Sequence, residues 1–183
     1  VERLAGMKRA NGNALGPEDV EYTFERGMVV DPTGGPQWMV FNVFFGVDFN
    51  GIGDVVDAFG QDGAKRMIQQ AVQVDGVNAT FKLYGPLGLF YKSLVNDRTY
   101  WGYIVDKNYS IENGGWPEDW SVDLGLSAEE GGYKMGPDGA ASPLYDAPNG
   151  TGPYMLEEWI QGQEVRLVKY DNYWRGWDGN HVD

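Results

Sequence analysis

Apolar residues recur near the start of the chain with helical spacing. Val20, Phe24 and Met28 fall at i, i+4 and i+8 and form one stripe. Pro17 takes the first helical position, where its missing N–H is no loss, and Glu18 and Asp19 face the positive end of the helix dipole. These two acids read as helix caps rather than as a catalytic pair. Asp31-Pro32 stops the helix, because the residue before a proline is pushed out of the helical region. The run Trp38-Met39-Val40-Phe41-Asn42-Val43-Phe44-Phe45 lacks clean alternation, so its conformation stays open. It reads first as core filling and second as an aromatic wall for a ligand. Residues 54–63 have loop or short-helix character. Asp54, Asp57 and Asp62 within them miss the spacing of a calcium loop and read as solvated carboxylates.

Period-two patterns follow. Val72 and Val74 alternate with polar neighbours up to the Asp75-Gly76 turn, and Ala79, Phe81 and Leu83 alternate after it, which predicts a hairpin. Pro86 opens a short helix with Leu87, Phe90, Tyr91 and Leu94 at helical spacing, and Tyr100–Val105 reads as a strand. Asp106–Glu112 reads as a short helix stopped by Asn113-Gly114-Gly115. From Trp116 to Asn149 the chain is rich in Gly, Pro and Asp, which predicts a functional loop or a partly helical stretch near Pro117–Val122. A second hairpin is predicted from Tyr154–Ile160 and Glu164–Tyr170 around Gln161-Gly162-Gln163. Val165, Leu167 and Lys169 should face one way, and Arg166, Val168 and Tyr170 the other. The elements predict an α+β fold: a mixed or antiparallel sheet, short helices and long loops.

Composition narrows the function. The 183 residues carry a net charge of −13, which disfavours nucleic acid and anionic membrane surfaces as partners. Cysteine is absent, which excludes thiol catalysis, disulfides and thiolate metal sites. The single histidine, His181, leaves no basis for a multi-histidine metal site and stands against a Ser-His-Asp triad. No apolar stretch approaches the roughly 20 residues of a membrane helix. The first residue is Val1 and no closing element follows Gly179, so the chain is expected to be a piece of a longer one.

Three motifs in order then carry a resemblance. The tail Asn149-Gly150-Thr151-Gly152-Pro153-Tyr154-Met155-Leu156-Glu157-Glu158-Trp159, with Gly162-Gln163-Glu164 and Asp171-Asn172-Tyr173-Trp174, is similar to the family 5 extracellular solute-binding proteins. So is the segment Leu15-Gly16-Pro17-Glu18-Asp19-Val20-Glu21-Tyr22-Thr23-Phe24-Glu25-Arg26, and so is the Val72–Leu83 hairpin followed by a Pro-led helix. The chain departs from the family pattern at Gly16-Pro17, at Ala10-Asn11-Gly12, and in longer stretches over 33–63 and 116–148. Thr151-Gly152-Pro153 suits a sharp turn into the Tyr154 strand, and Tyr173 and Trp174 suit anchoring of the hairpin end.

The resemblance implies a two-lobed periplasmic-binding-protein-like fold, of which residues 1–183 would be part of the first lobe with its small extra subdomain, the second lobe being absent. It implies capture of a small solute, a peptide first, and delivery to an ABC permease in the membrane, without catalysis or an intrinsic cofactor. The location would be periplasmic or extracellular, with lipid anchoring through an upstream segment left open. The substrate-binding candidates are Trp38, Phe41 and Trp101, whose rings could cover a solute, and Arg98, which could pair with a carboxylate. Two other readings remain open at this stage. One is an extracellular carbohydrate-active domain, although adjacent Glu157 and Glu158 should point to opposite faces of a strand and so could not act together. The other is a surface interaction domain without a small ligand.

Overall fold

In the computed structural model, which describes residues 9–31, 37–86, 88, 90–94, 103–135, 144 and 148–179, the Val20, Phe24 and Met28 stripe forms the core-facing side of helix α1 (Pro17–Val30). Asp19 closes its first turn, its Oδ2 accepting the Gly16 N–H at 2.8 Å. The Trp38–Phe45 run is helix α2. Aromatic and β-branched residues are indifferent helix formers, but here Val40, Phe41, Val43, Phe44 and Phe45 all enter the core, and packing decides. Gly46 ends α2 at φ +106°, a conformation suited to glycine, with the Tyr84 ring packed where a Cβ would stand.

Helix α3 (Ile52–Ala71) is the largest departure from the sequence expectation of a loop or short helix at 54–63. It consists of two helical pieces meeting at Gly60, whose φ of 68° breaks the helical run. Ile52, Val55, Ala64 and Ile68 give both pieces a buried side, while Asp54, Asp57 and Asp62 are exposed. The start of α3 is capped from across the chain: Ile52 N–H donates to Asp31 Oδ2 at 2.9 Å. Asp31→Ala should therefore lower stability by about 1–2 kcal/mol in urea denaturation, since a buried N–H would lose its acceptor.

The first hairpin, β1 (Val72–Asp75) and β2 (Asn78–Phe81), is antiparallel with Val72 opposite Phe81 and Val74 opposite Ala79. Its apolar side closes on α1, where Phe24 meets Phe81 edge-on at 5.0 Å and Phe44 at 5.9 Å. Helix α4 (Phe90–Leu94) adds Phe90 against Phe81 at 5.3 Å. The described end of the expected Tyr100–Val105 strand, residues 103–105, is irregular: Val105 N–H donates to Thr23 Oγ1 and its carbonyl accepts from Arg9, so its polar groups go to side chains rather than to a ladder. Helix α5 (Lys107–Glu112) follows, capped by Asp106.

Pro117–Val122 contains no helix. Asp119 Oδ1 takes both the Ser121 N–H (2.9 Å) and its hydroxyl (2.6 Å), the local bonding by which aspartate favours a turn. A single 3-10 turn at Ala128–Glu130 is the regular structure found among the described residues of 116–149. Gln61 on α3 pins this stretch through paired bonds with the Leu124 amide and carbonyl, at 2.8 and 3.1 Å.

The second hairpin, β3 (Tyr154–Ile160) and β4 (Glu164–Lys169), forms a separate antiparallel sheet. A bulge between Leu156 and Glu158 changes its pattern. Leu156 still faces Leu167, and beyond the bulge Trp159 faces Val165, so one face gathers Leu156, Leu167, Trp159 and Val165. Trp177 caps the other end of that face, packed on Tyr154 at 5.5 Å and beneath Lys169 at 4.8 Å, while its indole N–H donates to Tyr170 O. Tyr173 joins this cluster, its ring 5.7 Å from Trp177, and Trp174 meets Tyr173 edge-on at 6.0 Å while carrying Arg175 over its own ring. The architecture among the described residues is α+β, with short helices around α1 and two small antiparallel sheets.

Candidate functional site

The site grows from one buried cation. Arg9, 1% exposed, places Nη2 3.0 Å from Asp19 Oδ2 and Nη1 3.7 Å from Asp106 Oδ2. It also donates to the Ala14 and Val105 carbonyls at 3.0 and 3.4 Å. A buried guanidinium needs this company, because an unpaired charge out of water is strongly disfavoured. Around Asp106 the donors converge further. Its Oδ2 accepts the side-chain amides of Asn11 (3.2 Å), Asn13 (2.9 Å) and Asn149 (2.9 Å), and its Oδ1 accepts the Tyr109 N–H at 3.0 Å. Burial alone would push the Asp106 carboxyl up. The Tyr109 N–H, the amides of Asn13 and Asn11 and the Arg9 charge outweigh it, and hold the group below the usual carboxylate range.

The same cluster joins distant parts of the chain. Asp19 Oδ1 accepts the Lys107 N–H at 2.9 Å, tying α1 to α5. Ala10 N–H donates to Gly150 O at 3.1 Å, and Tyr170 Oη donates to Arg9 O at 2.9 Å, tying residues 9–13 to the approach and exit of the second hairpin. The Asn149-Gly150 motif, the Asp19 turn and the Asn11-Gly12 turn thus meet in one polar joint.

Arg9, Asp106 and Asn149 also line a cavity of about 580 Å³, with Leu15, Ile104 and Val105 among its apolar walls and Tyr103 and Tyr109 its aromatic ones. That volume lies in the range of small-molecule pockets. Arg9 serves two carboxylates, Asp19 at 3.0 Å and Asp106 at 3.7 Å, and the amides on Asp106 Oδ2 share the charge that one cation leaves unmatched. Among the described residues no three His, Asp or Glu side chains gather into a metal-binding group.

Of the sequence-derived candidates, the two within the described residues fall elsewhere. Phe41 is fully buried, 6.0 Å from the Phe45 ring within the core. Trp38, on the same helix, is 48% exposed, and neither residue lines the cavity. Arg98 and Trp101 lie outside the described residues. Glu157 and Glu158 do not diverge as simple alternation requires. The bulge lets both approach Arg166, at 3.7 and 3.0 Å, and Glu164 completes an exposed ion-paired group at 2.6 Å. Sequence reasoning missed Arg9, saw Asn13 only as part of the Asn11-Gly12-Asn13 turn and saw Asp106 only as the start of a helix. The available signal was the concentration of Asn, Asp and Gly at three separated turns.

A helix-and-hairpin body is thus gathered about a polar joint with a cavity beside it. A family model for the middle region of bacterial extracellular solute-binding proteins, family 5, matches residues 5–183, and the chain belongs to that family. It is 38% identical over 50 residues, 27% of this chain, to the "Peptide transport periplasmic protein SapA" of Haemophilus influenzae. It is 55% identical over 29 residues, 16% of this chain, to the "Probable ABC transporter periplasmic-binding protein SapA" of Escherichia coli. The matched stretches span 9% and 5% of those two relatives. Family membership does not favour the carbohydrate-active reading. Among the described residues no helix is long and apolar enough to cross a membrane.

Proposed function

We propose that this chain is part of the first lobe, with its small extra subdomain, of a non-enzymatic periplasmic protein that captures a peptide-like solute and hands it to an ABC permease. The observation that carries the reading is the family match across residues 5–183. The Haemophilus relative's name as a peptide transport protein supports a peptide as the solute. The partial-lobe reading draws support from the second hairpin. Its apolar face leaves Val165 61% and Leu167 55% exposed, and a two-stranded ribbon with such a face gains most from further strands or a covering layer. Solute contacting both lobes would favour the closed arrangement by its differential affinity for it. In this reading the cavity beside the joint is the first lobe's contribution to the solute site.

Calorimetry on the full-length protein with tri- to pentapeptide pools tests this. Micromolar or tighter binding is expected, with affinity at least about 100-fold weaker for the 183-residue chain alone. Micromolar binding by the short chain would overturn the division into lobes. Reducing-sugar release from polysaccharide by a full-length protein that binds no peptide would overturn the transport reading.

A further inference from the structure

Arg9, Lys65, Lys107 and Arg166 each have a carboxylate within ion-pair distance. Arg26 on α1 has none among the described residues, in a chain where acids outnumber Lys and Arg by 27 to 14. Its Nε–H is shielded from solvent and lacks an acceptor. A cation so placed is costly, and burial pulls the guanidinium below its ordinary range.

Arg26 lines a cavity of about 80 Å³ together with Thr23, Gln37, Tyr103 and the apolar Val40 and Val105. That space suits about two or three waters, or one small group in their place. Thr23 has no donor to spare: its hydroxyl donates to Asp19 O at 2.6 Å and accepts the Val105 N–H at 3.0 Å. Gln37 differs. Its carbonyl receives the Val40 and Phe41 N–H groups at 2.8 and 3.2 Å, which fixes it at the start of α2. Its side chain lies over Gly27, with Oε1 and Nε2 3.3 and 3.5 Å from where a Cβ would stand, and Oε1 is buried without a donor. An unanswered guanidinium from α1 and an unanswered amide at the start of α2 thus border one cavity. Tyr103, 60% exposed, lines it as well and connects it to solvent.

We infer that this cavity is a carboxylate-binding site, in which the Arg26 guanidinium supplies the charge and the Gln37 amide a second donor. Charge decides the ligand class. Water or a neutral amide would meet the hydrogen bonds and leave the cation uncompensated. A carboxylate accepts from the guanidinium fork and cancels its charge as well. The oxygen and nitrogen ends of a glutamine amide are nearly equal in size, so Gln37 presents Nε2 to the ligand within the same space. The carboxylate is either free or the end of a larger solute, and the site stands independently of the transport reading.

The test is NMR of the Arg26 Nε–H and the Gln37 side-chain amide as sodium acetate replaces sodium chloride at constant ionic strength. Both signals should shift saturably with a midpoint in about the millimolar range, the affinity open to so small a ligand. Acetamide should shift neither. Gln37→Ala should weaken acetate about tenfold, the worth of one charge-assisted hydrogen bond, and Arg26→Gln should abolish the shift at Gln37. A tripeptide and its C-terminally amidated form, measured on the full-length protein, identify the source. Affinity lost on amidation in the wild type but not in Arg26→Gln assigns the site to the solute's terminus, and equal affinity assigns it to a free carboxylate. A protein that binds acetate here and no peptide would refute the transport reading and leave this site standing. No acetate shift, or an equal shift with acetamide, would leave a water-filled cavity and overturn the site. If Arg26→Gln does not fold, an acetate midpoint unmoved by Gln37→Ala overturns it equally.

Discussion

Arg9→Met is expected to lower stability by about 3–5 kcal/mol, the range for breaking a buried ion pair by removing one partner. Methionine fills much of the same space, so the loss is electrostatic rather than volumetric. Asp19 and Asp106 would keep their burial and lose their cation, while the Ala14 and Val105 carbonyls would lose a donor. For a domain of this size the melting temperature should fall by roughly 10 °C. The pH dependence gives a second readout. Asp106 is held below its usual range, so its contribution is present above about pH 4, the ordinary carboxylate value, and is lost as pH falls. The wild type should therefore weaken toward pH 3 more steeply than Arg9→Met, because the variant has already lost part of what acid removes. Thermal melts at pH 7 and pH 3 read both effects. An Arg9→Met protein as stable as the wild type at pH 7 would mean that the guanidinium is not holding the joint together.

Phe41→Ala should cost about 3–5 kcal/mol, the usual penalty for emptying a buried aromatic position. Phe41 is fully enclosed and its ring lies 6.0 Å from Phe45. Trp38→Ala, at a position 48% exposed on the same helix, should cost less than about 1 kcal/mol. The pair separates the two readings of this aromatic run, since a ligand wall would require both rings to matter for binding while neither dominated folding. Urea denaturation of the two variants, with peptide affinity measured in the full-length protein, makes the distinction. A stable Phe41→Ala protein that has lost its peptide affinity would restore Phe41 to the solute site.

The sequence was most legible where structure is local. Both hairpins were readable because Asp75-Gly76 and Gly162 mark turns between alternating segments, and α1 because proline, two acids and an apolar stripe agree. Helix α3 was obscured by Gly53, Gly60 and Gly63, whose weak helix preference reads as loop. It forms because Ile52, Val55, Ala64 and Ile68 find the core, a gain that appears only in three dimensions. The bulge at Glu157 was hidden for a related reason: strict alternation put the two glutamates on opposite faces, whereas the pairing register lets both reach one arginine.

The joint was the least legible feature. Asp19 and Asp106 look like helix caps, Asn11 and Asn13 like turn residues, and Asn149 like the start of a family motif. Each local reading is sound, and nothing local shows that the three asparagines meet on Asp106 or that Asp106 and Asp19 share one buried arginine. The family motifs therefore read here as parts of a frame. They bring the 9–13 turn, α1, α5 and the second hairpin to one point, beside the cavity.

The most direct test of that frame is a double-mutant cycle on Arg9→Met and Asp106→Asn, with unfolding free energies from urea denaturation at pH 7. A single joint predicts that the two losses overlap by more than about 1 kcal/mol, as for groups in one charge network. Losses that add to within about 0.3 kcal/mol would contradict it, leaving Arg9 and Asp106 as independent neighbours.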